Sequence, residues 1–227
     1  MKKIMVALLI ILAGCSSINS ISSQPQEKIS WVDIVMWNDA KYTYNYEVYE
    51  LNQLWKTGEE LGEVSFMMND HANSNHIMEN GHATYLTVGT KLYAMEGYDP
   101  VFRIIADGKI YEIEQPAEAK ILNDFLDITG KVDSVWFLSE QDSTPLFPMD
   151  DEVTQSFVDQ FLALPYTPYA EIYKKASGNR TFIEFRLQDG TSMQTVFWID
   201  NKVFTIGAIG TDTIQEIIEK EWMLHTE

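Results

Sequence analysis

Four stretches of the chain share one pattern, in which two runs rich in β-branched and aromatic residues flank a short polar turn. Ile34-Val35-Met36-Trp37 leads through Asn38-Asp39-Ala40-Lys41 into Tyr42-Thr43-Tyr44, and Phe102-Arg103-Ile104-Ile105 leads through Ala106-Asp107-Gly108-Lys109 into Ile110-Tyr111-Glu112-Ile113. Residues 195–199 pass through Asp200-Asn201-Lys202 into Val203-Phe204-Thr205-Ile206, and residues 181–187 turn at Asp189-Gly190 into residues 191–196. Asn, Asp and Gly tolerate the positive φ that tight hairpin turns demand, while the flanking runs suit a pleated, half-buried surface. The pattern predicts an α+β fold that is mainly antiparallel sheet built from hairpins. The segments between the hairpins are unrelated, so shared turn chemistry explains the recurrence better than an internal repeat.

Helical periodicity is confined to the C-terminal half, where two helices are expected. Asp150-Asp151-Glu152 open a segment with Val153, Phe157, Phe161 and Leu164 on one face, closed by Pro165. A second begins near Thr211-Asp212 and carries Ile214, Ile217, Ile218 and Trp222 as its stripe. Pro145 and Pro148 interrupt both helix and ladder pairing, which makes them the candidate boundary between a mainly-β region, 31–144, and an α+β region, 145–227. The apolar runs on both sides are also compatible with one shared core.

Ahead of the hairpins, Met1-Lys2-Lys3 is followed by an apolar run over residues 4–13 and then Gly14-Cys15. Basic, apolar and small, in that order, is the plan of a secretory signal. The run falls well short of the roughly 20 residues that a helix needs to span a bilayer. Its end, Leu12-Ala13-Gly14-Cys15, resembles the lipobox of bacterial lipoproteins, a resemblance that covers the leader alone. It implies a signal peptide at 1–14, diacylglycerol and palmitate-type chains on Cys15, and a membrane partner reached through that lipid at the extracytoplasmic face. Two acyl chains anchor stably where one is marginal. Residues 16–30 are polar and without periodicity, so 15–30 reads as the lipidated cysteine and a flexible tether. The plan of lipobox, tether and acidic body resembles the small lipoproteins of uncharacterised role in Gram-positive bacteria. Ser16 after the cysteine implies, by the same resemblance, the outer membrane if the host is Gram-negative.

Cys15 is the only cysteine among 227 residues, so no internal disulfide is available and the fold must rest on its apolar core. At 45% hydrophobic and 12% aromatic, the composition suffices for one. With Lys2 and Lys3 taken from the 16 basic residues, 14 face 34 acidic ones, a formal −20. Such a surface repels nucleic acid and anionic headgroups, so no nucleic-acid partner is expected.

Three of the four histidines fall within residues 71–82. His71, His76 and His82, completed by Glu79 or Asp70, can be drawn around a divalent metal, although their spacing fits no helical zinc motif. The same Asn-, Asp- and Gly-rich composition also suits a solvated loop. Tyr42, Tyr44 and Tyr46 alternate and share a strand face, either a stacking platform for a ligand or sheet core. Carboxylate pairs such as Glu59-Glu60, Asp150-Asp151 and Glu219 with Glu221 carry little information in so acidic a chain. No nucleophile elbow, S-x-x-K, phosphate loop or dinucleotide fingerprint is present. The chain therefore reads first as a non-enzymatic envelope module that binds a small ligand or an envelope protein. The alternatives are a metal-assisted hydrolase built on the histidine loop and a structural module acting through a sheet edge or aromatic face.

Overall fold

Turn chemistry organises the first sheet. Strand β1 (Ile34–Trp37) returns as β2 (Ala40–Tyr44) through Asn38 and Asp39, whose φ values of 48° and 60° are both positive. That is the type I′ geometry, whose twist matches the twist of the flanking strands. β3 (Thr57–Glu63), β4 (Phe66–Met67), β5 (His82–Ala83) and β6 (Lys91–Met95) follow. β7 (Arg103–Ala106) and β8 (Lys109–Ile113) close a second two-residue turn, with Asp107 at φ 50° and Gly108 at 70°. The eight strands lie in the order β3-β6-β7-β8-β2-β1-β5-β4. Among the described residues only the short β4–β5 pair is parallel.

These are the features of a computed structural model that describes residues 31–45, 55–69, 71–73, 75–114, 116 and 118–226. The leader, Cys15, the tether, Tyr46 and Asp70 lie outside the described residues.

The second sheet comprises β9 (Val132–Leu138), β10 (Pro145–Pro148), β11 (Arg180–Leu187), β12 (Ser192–Trp198), β13 (Val203–Phe204) and β14 (Ala208–Ile209), in the order β10-β9-β11-β12-β13-β14. Between and after its strands come α1 (Asp151–Leu162), a single turn α2 (Tyr169–Ile172) and α3 (Asp212–Thr226). The fold is α+β and mainly antiparallel sheet, and all four hairpins read from the sequence are formed.

Pro145 and Pro148, expected to break ladder pairing, instead begin and end β10, which pairs with β9 through Pro145↔Leu138 and Pro148↔Trp136. β10 is an edge strand, and an edge has one side that needs no partner, so a residue without an N–H is tolerated there. The change of sheet therefore falls between β8 and β9 rather than at the prolines.

α1 forms where the acidic opening placed it. Asp150 is its N-cap, its carboxylate accepting the Glu152 N–H at 2.8 Å, and Asp151 and Glu152 complement the helix dipole. Phe157 and Phe161 are buried as expected; Val153 is half-buried, and Leu164 is buried just beyond the helix end. On α3, Ile214 and Ile218 are fully buried while Ile217 and Trp222 sit at the margin. One continuous apolar cluster runs from Val35, Tyr42 and Ile104 of the first sheet through Leu122 and Phe125 to Phe137, Phe161, Phe185 and Ile218. Among the described residues no helix is long and apolar enough to cross a membrane.

Candidate functional site

The parallel pairing of β4 with β5 sets Phe66 opposite His82. The loop between them returns so that all three loop histidines surround that ring. His76 stacks on Phe66 at 5.2 Å between centroids, His82 lies at 5.0 Å and His71 at 6.4 Å. His76 Nε2 is 3.1 Å from His82 Nδ1, which also accepts the Glu79 backbone N–H at 3.2 Å. An amide N–H can only donate, so Nδ1 of His82 is the acceptor, and the proton between the rings belongs to His76.

The three loop histidines, drawn in the sequence either around a metal or on a solvated loop, lie together around Phe66. Among the described residues no three His, Cys, Asp or Glu side chains are placed to hold a metal ion. A metal-assisted hydrolase needs such a set plus an open position. The loop supplies a hydrogen-bonded imidazole pair against an aromatic ring, and Glu79 enters through its backbone while its carboxylate stays exposed.

The tyrosine strand is divided. Tyr42 is 2% exposed and its hydroxyl donates to the Pro100 carbonyl at 2.9 Å. Burial, with the Asp99 carboxylate adding to it, pushes that phenol up to about 12. Tyr42 therefore offers no open face to a ligand. Tyr44 is half-buried, with Lys109 Nζ 4.8 Å above its ring. The Lys109 ammonium also reaches the buried Asp33 carboxylate at 3.2 Å, which accepts from the Tyr111 hydroxyl at 3.1 Å.

A further polar group was legible only as an oddity, the arginine inside Phe102-Arg103-Ile104-Ile105. Arg103 is fully buried and ties the two sheets together. Its Nε donates to Glu112 at 2.7 Å, Nη1 to the Thr191 hydroxyl at 2.7 Å and Nη2 to the Ser192 carbonyl at 2.9 Å, with a second contact from Nη2 to Glu112. The rings of Phe102 and Tyr98 lie 4.6 and 5.1 Å from the guanidinium carbon. All three guanidinium nitrogens donate within the protein, which makes Arg103 a structural tie rather than a group poised for chemistry.

Open space of ligand size lies elsewhere, between α3 and one end of the second sheet. This cleft measures about 550 Å³, within the range typical of small-molecule sites. Ile199, Ile218, Trp222 and Met223 supply its apolar lining, and Glu140, Asn179, Arg180 and Glu219 its polar one. Thr181 also lines it, 3% exposed and with no hydrogen-bond partner for its hydroxyl. A buried hydroxyl without a partner is costly, so it marks a place where a ligand atom can repay its own desolvation. Of the carboxylate pairs noted in the sequence, Glu219 belongs to this cleft. Glu221 is buried and accepts the Asp150 N–H at the start of α1 at 2.9 Å, and Glu60 pairs with Lys91 at 2.9 Å. The cleft was not legible beforehand because its lining comes from four separate segments, each unremarkable alone.

Searches against protein-family models, curated proteins and solved structures gave no match for this chain.

Proposed function

We propose that the chain is a lipid-anchored extracytoplasmic binding module, non-enzymatic, whose small ligand enters the cleft beneath α3. The anchor follows from Cys15, the sole thiol, set directly behind a basic and apolar leader in the sequence Leu12-Ala13-Gly14-Cys15. The binding role rests on one observation, the cleft itself. It is a ligand-sized space that joins an apolar wall to a rim of charged groups and to the unpartnered Thr181 hydroxyl. The charged groups buried elsewhere among the described residues, Asp33, Arg103, Glu184 and Glu221, each have a protein partner.

The anchor is tested in cells by feeding a palmitate analogue and following both label and membrane association. The parent chain takes up label and sediments with membranes, and Cys15→Ser does neither. Label retained by Cys15→Ser, or none on the parent, overturns the anchoring half of the reading.

A further inference from the structure

The proposal concerns which ligand the cleft takes, and it rests on reading that cleft as a ligand site. We propose that the ligand is a small organic cation carrying an apolar body. Three carboxylates stand at or beside the mouth. Glu140 and Glu219 line it, and Asp200 packs so closely on the backbone of Gly178, another lining residue, that a Cβ there would collide with it. The one cation at the rim, Arg180, is already committed. Its Nε donates to Glu140 at 2.7 Å, and its guanidinium lies 5.3 and 5.2 Å from the rings of Phe182 and Trp198. Arg180 thus cancels Glu140 and leaves Asp200 and Glu219 without an ion pair among the described residues. Glu219 accepts a hydrogen bond from Gln215 at 2.7 Å, a neutral donor that leaves its charge in place.

An anion entering here meets two uncompensated carboxylates and an arginine that already has its partner. A neutral apolar molecule gains the walls but makes no use of the rim. A cation uses both, because Trp222 offers an aromatic surface that attracts positive charge while Ile199, Ile218 and Met223 take the body. The Thr181 hydroxyl, unpartnered in the protein, can accept from an ammonium N–H or donate to an oxygen, so it favours a polar ligand atom of either kind. The field of the whole chain acts in the same direction, since a formal net charge of −18 raises the local concentration of cations and lowers that of anions.

The test uses three probes of nearly one shape: phenethylammonium, 2-phenylethanol and 3-phenylpropionate. Binding to the purified full chain is measured by calorimetry or by ligand-observed magnetic resonance. Phenethylammonium should bind about tenfold or more tighter than the alcohol, a difference of about 1.4 kcal/mol, and the propionate weakest of all. Asp200→Asn with Glu219→Gln should bring the cation down to the level of the alcohol. Met223→Trp, at a position 54% exposed, fills the cleft with an uncharged ring without disturbing the core and should weaken the binding of all three probes alike. Glu79→Gln, on the histidine loop of the other sheet, should change nothing. If the three probes bind alike and Met223→Trp still weakens them, the cleft remains a ligand site and the cation assignment falls. If no probe binds, or Met223→Trp is without effect, the cleft as a binding site falls as well, whatever the lipid label on Cys15 shows.

Discussion

In the eight-stranded sheet the side chains that tie one element to the next are charged. Arg103 reaches from β7 to Glu112 on β8 and on to Thr191 and Ser192 of the second sheet, while Asp33 gathers Lys109 and Tyr111. In the six-stranded sheet the same task falls to phenyl rings. Phe161 lies 4.8 Å from Phe185 and 5.1 Å from Phe204, and Phe197 lies 4.5 Å from Phe204. Hydrogen-bonded charges fix orientation but must be fully satisfied, whereas rings fill volume and accept several geometries. The cleft lies at the end of the second sheet, where the ring-packed interior gives way to the charged rim of Glu140, Arg180 and Glu219. The polar ties brace the first sheet, and the aromatic layer leaves room at its edge.

That contrast is open to direct attack by substitution. Arg103→Met leaves Glu112 without its cation and deprives Thr191 and the Ser192 carbonyl of their donor. Breaking one side of a buried pair costs about 3–5 kcal/mol, and urea unfolding should show a loss of about 4 kcal/mol. Adding Glu112→Leu should recover more than half of it, because the uncompensated charge is then gone. A double variant as unstable as the single one would mean that the guanidinium matters for its shape and not for its charge. Phe161→Ala should cost about 3 kcal/mol through lost burial and the cavity left behind. No companion polar change should rescue it; a loss below about 1 kcal/mol would show that the aromatic layer repacks freely and would blunt the comparison.

The two regions also differ in how far the sequence disclosed them. The hairpins were legible because Asn38-Asp39 and Asp107-Gly108 announce positive φ to any reader, and α1 because Asp150 and the Phe157/Phe161 spacing state cap and stripe together. Pro145 and Pro148 misled, since whether a proline breaks a ladder depends on which strand is the edge, and sequence does not say which strand that is. The histidine spacing left open whether the rings would meet, and it could not say that His76 would donate to His82 across Phe66. Tyr42 and Tyr44 share a face as alternation requires, but alternation does not tell a buried face from an open one. The cleft depended on side chains from residues 140, 178–181, 199 and 218–223 converging, which is a property of the fold alone.

Tyr42 lets the polar side of the comparison be read against pH. Tyr42→Phe removes the hydroxyl that donates to Pro100 and should cost about 1–2 kcal/mol at neutral pH. Because burial raises the phenol from 10.0 to about 12 in the folded chain, its contribution is complete below pH 10 and is lost as the pH rises through about 12. The parent should therefore lose stability more steeply than Tyr42→Phe between those values. Parallel curves would mean that the hydroxyl gains solvent before it ionises.

The smallest effect is expected where the aromatic layer borrows a polar device. α1 carries Phe157 and Phe161 into the core, and its first turn is held from two sides, by the Asp150 carboxylate on the Glu152 N–H and by the buried Glu221 carboxylate on the Asp150 N–H. Asp150→Ala removes only the first of these and should cost about 1 kcal/mol, the usual worth of a helix cap. Glu221→Gln keeps an oxygen to accept the Asp150 N–H while removing the charge from the positive end of the helix dipole, so its loss should not exceed that of Asp150→Ala. Urea unfolding of both variants decides between geometry and charge. If Glu221→Gln proves the more damaging, α1 is held chiefly by a buried charge, and the second sheet stands closer to the first than its phenyl rings suggest.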